Sequence, residues 1–298
     1  MRGWARPRSS APRRPDMILV TGARGNIGRE VVAGLVSNGQ AVRAAAFDAA
    51  AAKRVSAGVE TVHFDFADAK TYGPAVDGVE RLFLMRPPQI TDMENTLNPF
   101  VDFAVKAGVR HIVFVSLLGV EGNPRVPHYA AEQHIERAGV PYTFLRPSFF
   151  MQNLNTTHRA EIRERDEIYL PVGRARTSFI DTRDIGAVAA KVLCEDGHDG
   201  RAYDLTGGES LDYYQVADIF SEVLGRKITY KDPSSVAFLI STVRHGTPLK
   251  FALVMQMLYR STRNGIADVL TEDVSRLLGR SPRTFRQYVI DYAESWRR

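Results

Sequence analysis

The stretch Val20-Thr21-Gly22-Ala23-Arg24-Gly25-Asn26-Ile27-Gly28 constrains the fold more than any other part of the chain. It follows the short apolar run Met17-Ile-Leu-Val20. It opens onto Ile27, Val31, Val32 and Leu35, which fall at one-face helical spacing with Gly39 as the stop. Strand, glycine-rich turn and helix in this order suit a dinucleotide. The glycines allow the tight turn and a close backbone approach to a pyrophosphate. The helix start then offers free amides and the positive end of its dipole. A tight strand-to-helix turn with no ligand would use glycines too. The setting, at the head of a long strand–helix alternation, favours phosphate binding. The candidate cofactor residues here are Thr21, Gly22, Arg24, Gly25, Asn26, Ile27 and Gly28.

Short apolar runs at residues 17–20, 42–47, 61–64, 81–85, 110–116 and 142–145 read as strands. Helical spacing at about 93–106 and 129–137 lies between the later ones, stopped by Gly108 and Gly139. Strands that read as continuous apolar runs are those of a parallel sheet covered on both faces. Right-handed crossovers then give an α/β, doubly wound parallel Rossmann sheet. A helix over 184–194 with Asp184 as its N-cap and a strand at 203–205 read as a return to the sheet. A helix at 211–224 and a strand at 227–230 open a mainly helical remainder. The expected organisation is a basic tail (1–16), a dinucleotide-binding domain (17–155, with a return segment at about 180–206) and a smaller C-terminal substrate lobe (156–298).

The net charge of +5 does not point to nucleic acid. Residues 1–16 hold Arg2, Arg6, Arg8, Arg13 and Arg14 against one acid, Asp16. Setting them aside turns 39 basic and 34 acidic residues into 34 and 33. No basic stripe marks the body of the chain, so no nucleic-acid partner is expected. The tail reads as a flexible arm, a targeting segment or an extension ahead of a start at Met17. No run reaches the roughly 18 apolar residues of a membrane span, so no membrane partner is expected. One cysteine, Cys194, excludes an intramolecular disulfide framework and a multi-cysteine zinc site. It suits a reducing compartment, and a cytoplasmic monomer or homodimer is expected.

Nucleotide choice turns on the second strand. Asp48 at its end suits the ribose hydroxyls of NAD(H). Arg24, with Lys53 and Arg54 downstream, suits the extra phosphate of NADP(H). The pairing strength of arginine with phosphate favours NADP(H), with NAD(H) as the alternative. Asp65 after the third strand is placed to meet the adenine edge or to cap a helix. Phe66 beside it and Met85 at the end of the fourth strand complete the candidate cofactor set.

The loop together with Phe114-Val-Ser116, His128-Tyr-Ala-Ala-Glu132, Tyr142-Thr-Phe-Leu-Arg146-Pro147, Ser148-Phe-Phe-Met-Gln-Asn-Leu154 and Asp181-Thr-Arg-Asp184-Ile185 resembles NmrA-like proteins. These are atypical short-chain dehydrogenases/reductases, and the likeness runs from Met17 to about Tyr230, closest to the quinone-reductase branch. It implies a nicotinamide cofactor across the sheet edge and a substrate lobe. The family holds quinone, iminium and ether reductases and also redox sensors without catalysis.

The wider superfamily pairs a tyrosine with a lysine four residues on. None of the 11 tyrosines here has one, and Tyr129 is followed there by Gln133. By the family alignment, His128 stands where the ether reductases carry a lysine. It is the candidate proton donor, or else a residue that caps the helix start. Ser116, at the end of the fifth strand, is a candidate to bind a substrate oxygen, or else a turn residue. Gln152, Asn153 and Phe150 are the candidate substrate contacts. Glu132, one turn from His128, reads as a solvated helix charge. Arg146-Pro147 reads as packing. His128 and His134 are six residues apart and share no helix face, so no metal site is expected. Cys194 reads as a small buried hydrophobe. Phe251, Met255, Met257, Leu258 and Tyr259 read as helix packing, with a pocket lining or a dimer face as alternatives. The function expected is NAD(P)H-dependent reduction of a small apolar unsaturated substrate, a quinone, enone, imine or carbonyl. A dinucleotide sensor acting through a protein partner is the alternative.

Overall fold

A computed structural model describes residues 16–47 and 58–298. Seven parallel strands form one sheet: β1 (Met17–Val20), β2 (Ala41–Ala46), β3 (Glu60–His63), β4 (Val79–Leu84), β5 (His111–Val115), β6 (Tyr142–Pro147) and, after a long excursion, β9 (Arg201–Leu205). Their order is β3-β2-β1-β4-β5-β6-β9, and every neighbouring pair is parallel. The chain leaves β1 towards one edge and later crosses to β4 on the other side. The sheet therefore has a switch point between β1 and β4, and ligands of such sheets bind beyond the strand ends there.

Two layers of helix cover the sheet. On one face α1 (Gly28–Ser37) and α6 (Thr182–Cys194) bury Val31, Val32, Leu35, Ile185 and Val188 against Ile18, Val20 and Val113. On the other, α2 (Tyr72–Val76), α3 (Leu97–Lys106) and α4 (Pro127–Arg137) cover Leu19, Leu82, Leu84 and Phe114. Each fully buried Val, Leu, Ile or Phe contributes about 1.5–3 kcal/mol. Helix α3 begins at Leu97, later than the spacing suggests. Asp92 takes hydrogen bonds from the backbone and side chain of Asn95, which closes a turn, and Pro99 then sits in the first helical turn, where its missing N–H costs nothing.

The lobe has its own core, running from Met151 to Trp296. It is built from α5 (Arg159–Arg165), β7 (Glu167–Tyr169), β8 (Arg176–Thr177), β10 (Leu211–Asp212), α7 (Tyr213–Leu224), β11 (Thr229–Lys231), α8 (Ser235–Arg244), α9 (Leu249–Arg263) and α11 (Phe285–Asp291). A further helix, α10 (Asp273–Leu278), packs back on α6 and β9. The expected helix over 211–224 gives up its first two residues to β10, and Asp212 then caps α7 with a reciprocal Gln215 contact. In the methionine–aromatic cluster, Met255 and Tyr259 are buried and Phe251 packs against them, while Met257 and Leu258 are exposed.

The N-cap of α6 is Asp181, not Asp184. Asp184 points away from the helix end and is fully buried. It takes hydrogen bonds from Arg280 Nη2 and the Arg283 amide, both at 2.7 Å, and from the Arg283 guanidinium. Among the described residues no helix is long and apolar enough to cross a membrane, and no acid, histidine or cysteine cluster could hold a metal.

Candidate active site

The loop after β1 turns at Gly22, whose φ of 62° is the left-handed region that favours glycine. Gly28 starts α1 against the turn itself. A Cβ there would lie 2.1 Å from the Gly22 carbonyl oxygen and 2.8 Å from Ala23 Cα. Only a bare backbone lets α1 begin so close to the turn. Among the described residues the amides of Arg24, Asn26 and Ile27 donate to no protein group, so the loop presents unused N–H groups beside a helix start. Those donors and that close approach fit a pyrophosphate.

The loop residues divide their work. Thr21 is fully buried, and its hydroxyl bonds Phe83 and Met85 backbone, locking β1 to the end of β4; it supports the loop from below. Ile27 is core. Arg24 is exposed, and the Asn26 side chain is free of hydrogen bonds among the described residues. Met85 lies against the loop: a Cβ on Gly25 would be 3.3 Å from its Cε. Asp48, Lys53 and Arg54 lie outside the described residues. Asp65 turns Oδ1 onto the Ala67 amide at 2.9 Å, and Asp68, not Asp65, caps the short 3-10 turn at Ala69–Thr71. Phe66 offers no ring to a cofactor. It is buried edge-on to Phe64 and Phe100 in the core.

The candidate reaction groups gather at the ends of β4 and β5. Ser116 is 4% exposed, its amide bonds Leu145 O at 2.8 Å, and its buried Oγ has no partner among the described residues. His128, in the first turn of α4, has its ring 6.2 Å from that of Phe114 on β5. Arg86 reaches over it, with Nη2 at 3.3 Å from His128 Nε2 and 3.5 Å from Nδ1. Sequence reasoning missed Arg86. The available signal was a cation two residues past a central strand, just before Pro87-Pro88, on the edge where ligands bind.

His128 does not titrate near neutrality. Burial first, and the Arg86 guanidinium second, hold it down to about 3. The ring is neutral and can hydrogen-bond an oxygen, but it is no imidazolium acid. The unfolded chain takes a proton near pH 6.5 that the folded one refuses. This side chain therefore costs no stability above about pH 6.5, and the loss grows as pH falls from there towards 3, at ~1.4 kcal/mol per unit. In His128→Gln, urea unfolding should lose about 1–2 kcal/mol less stability between pH 7 and pH 5 than in the parent. Equal losses in the two proteins would mean His128 is charged when folded.

Three other expectations need correction or relocation. Glu132 is not a solvated charge but 3% exposed. Arg146 grips it with Nε–Oε1 at 3.0 Å and Nη2–Oε2 at 2.7 Å, and also reaches Glu121 at 3.2 Å. This tie holds α4, and so His128, against β6. Gln152 is fully buried with both amide ends used: Nε2 donates to Asp181 at 2.8 Å and Oε1 accepts from the Thr182 amide at 2.9 Å. It braces the chain and does not face a substrate. Phe150 bridges to Ile180, and it and Asn153 are partly exposed at the entry to the lobe. From the lobe, Ile266 comes within 3.4 Å of a Cβ placed on Gly119. The Ala267 carbonyl takes the Ser178 amide at 2.9 Å, so this segment of the lobe packs on the turn after β5 and on the stretch leading into α6.

The chain matches the NmrA-like family over residues 14–289. It is 33% identical over 292 residues to an NAD(P)H azoreductase of Xenophilus azovorans, covering 94% of this chain and 99% of that one. It is 26% identical over 280 residues to quinone oxidoreductase 2 of Escherichia coli, covering 92% and 97%. The triphenylmethane reductase of Citrobacter sp., solved with NADP(H), superposes with a TM-score of 0.80 at 25% identity, covering 93% and 99%.

Proposed function

The chain belongs to the NmrA-like family, and on that premise we propose that it reduces small, apolar, unsaturated molecules such as quinones, enones, imines or carbonyls. It is an NAD(P)H-dependent oxidoreductase, like the azoreductase and quinone oxidoreductase matched over nearly their whole lengths. The carrying observation is the juxtaposition at the sheet edge. The glycine loop with its unused amides lies beside Met85, and one residue beyond Met85 begins the Arg86, Ser116 and His128 group.

The loop from Gly22 to Gly28 would hold the pyrophosphate, and exposed Arg24 is placed to meet a ribose phosphate, which favours NADP(H). When bound, the nicotinamide supplies a hydride. The protein's part is to hold the acceptor in line and to keep water out. No tyrosine is followed by a lysine four residues on, and neutral His128 is a poor acid. Both suit acceptors that need no proton as the hydride arrives.

The test follows the near-ultraviolet absorbance of NADPH and NADH with a panel of quinones, enones and imines. NADPH should be oxidised in preference to NADH, and Arg24→Ala should narrow that preference by about tenfold, ~1.4 kcal/mol. Tight nucleotide binding without oxidation of either nucleotide by any acceptor would overturn the reading in favour of a dinucleotide sensor.

A further inference from the structure

Arg86 is a largely buried cation with no carboxylate in ion-pair reach among the described residues. Its Nη1 donates to the carbonyls of Pro87 at 3.0 Å and Ile90 at 2.7 Å, which fixes the side chain in place. Its Nε is buried without an acceptor among the described residues. Burial lowers its affinity for a proton to about 10, still well above neutrality, so the charge is kept. A fixed, buried and unpaired cation is costly, and a fold keeps one where something else compensates.

What lies around it indicates what that is. Leu84 on β4 is paired with Phe114 on β5, and two residues beyond each come Arg86 and Ser116. Ser116 Oγ is also buried and also without a partner among the described residues. The third neighbour, His128, is neutral and so does not balance the charge. Three hydrogen-bonding groups, one of them cationic, therefore converge at the end of adjacent central strands with donor capacity to spare.

We propose that Arg86, with Ser116 Oγ–H and the His128 ring, receives the oxygen of the acceptor as it becomes an anion. The protein then prefers acceptors that pass from neutral to anionic over acceptors that enter as cations. This rests on the reductase reading above and names its acceptor class. In a conjugated carbonyl the hydride brings a proton and two electrons to carbon and forms a C–H bond. The π pair is displaced onto oxygen, leaving an enolate or phenolate, and the oxidised nicotinamide accounts for the two electrons. One proton from water then neutralises the oxygen. A preorganised cation near that oxygen stabilises the state in which charge develops. The same cation repels an acceptor that is already positive, whose charge disappears when the hydride arrives.

The first readout needs no turnover. Para-nitrophenol, coloured only as its anion, is titrated against the protein loaded with oxidised NADP. The phenolate should bind at least about tenfold more tightly than the phenol, and Arg86→Met should abolish that difference, with part of it kept in Arg86→Lys. The second readout compares menadione with crystal violet, a permanent cation. Arg86→Met should lower kcat/KM for menadione by roughly a hundredfold and leave crystal violet unchanged or faster. NADP binding of both variants should match the parent, since the guanidinium's hydrogen bonds go to Pro87, Ile90 and His128 and not to the glycine loop. Equal affinity of the parent for phenol and phenolate would overturn the proposal, as would an equal loss with both acceptors. A weakened NADP complex would put the guanidinium on the nucleotide and also overturn it. If the parent reduces no acceptor at all, the reductase reading fails, while the phenolate titration still decides whether this group binds an oxyanion.

Discussion

Replacing Gly28 with alanine should weaken NADPH binding by at least about a hundredfold, ~2.7 kcal/mol, read by fluorescence titration. Helix propensity alone argues the other way, since alanine in place of glycine favours a helix by up to about 1 kcal/mol. The contacts decide the sign. The new Cβ would meet the Gly22 carbonyl oxygen at 2.1 Å, its carbon at 2.7 Å and Ala23 Cα at 2.8 Å. All three are backbone atoms, so no side chain can rotate aside. Either the turn lifts away from α1 or the helix start shifts, and overpacking of this kind costs about 1–3 kcal/mol. Both adjustments move the amides of Arg24, Asn26 and Ile27 out of the arrangement that fits a pyrophosphate. The variant should stay folded, because the core of α1 at Val31, Val32 and Leu35 lies beyond the disturbed turn. An affinity within about threefold of the parent would show that the phosphates do not rest on this loop.

The sheet was legible from sequence because a parallel strand covered on both faces must be apolar throughout. Ile112-Val-Phe-Val115 is fully buried, as that rule requires. The loop was legible because its steric demand is local. Gly22 and Gly28 are set by neighbours a few residues away, and a one-dimensional pattern records such neighbours well.

What failed was the reading of polar residues whose partners lie far along the chain. Glu132 looks solvated on a helix of charged residues. It belongs, however, to the buried stripe of Ala131 and Ile135, and its partner Arg146 is a strand away. Asp181 and Asp184 are equally good caps by composition. The bridge between Phe150 and Ile180 decides between them by placing residue 181 at the turn into α6. Arg86 carries only a weak local signature, a cation just past a central strand and ahead of Pro87-Pro88. Its significance comes from the absence of a partner, which only three dimensions reveal. His128 reads from sequence as a proton donor, but burial and Arg86 invert the behaviour expected of a free imidazole and hold its ring neutral.

The same distant coupling holds at Asp181, and Asp181→Ala should cost about 3–5 kcal/mol of stability. The carboxylate is fully buried. It accepts from the Arg183 amide at 2.8 Å and Nη2 at 2.6 Å, and from Gln152 Nε2 at 2.8 Å. Arg183 in turn binds Asp291 on α11 at 2.6 Å. One side chain thus joins the crossover into the lobe, the start of α6 and the last helix of the chain. Alanine removes an N-cap, typically worth ~1 kcal/mol. It strands the buried Gln152 amide, at about 1–3 kcal/mol. It also leaves the half-buried guanidinium of Arg183 with Asp291 alone. At 2–4 °C per kcal/mol, the thermal midpoint should drop by roughly 10 °C. Asp181→Asn keeps one carbonyl oxygen for the Arg183 amide, so the cap survives, and it should lose about half as much. The double variant Asp181→Ala/Gln152→Leu removes the stranded amide but also takes the Oε1 acceptor from the Thr182 amide, so it should lose less than the sum of the two single variants while staying well below the parent. A double variant whose loss equals the sum of the two single ones would mean that Asp181 and Gln152 stabilise the fold independently of each other.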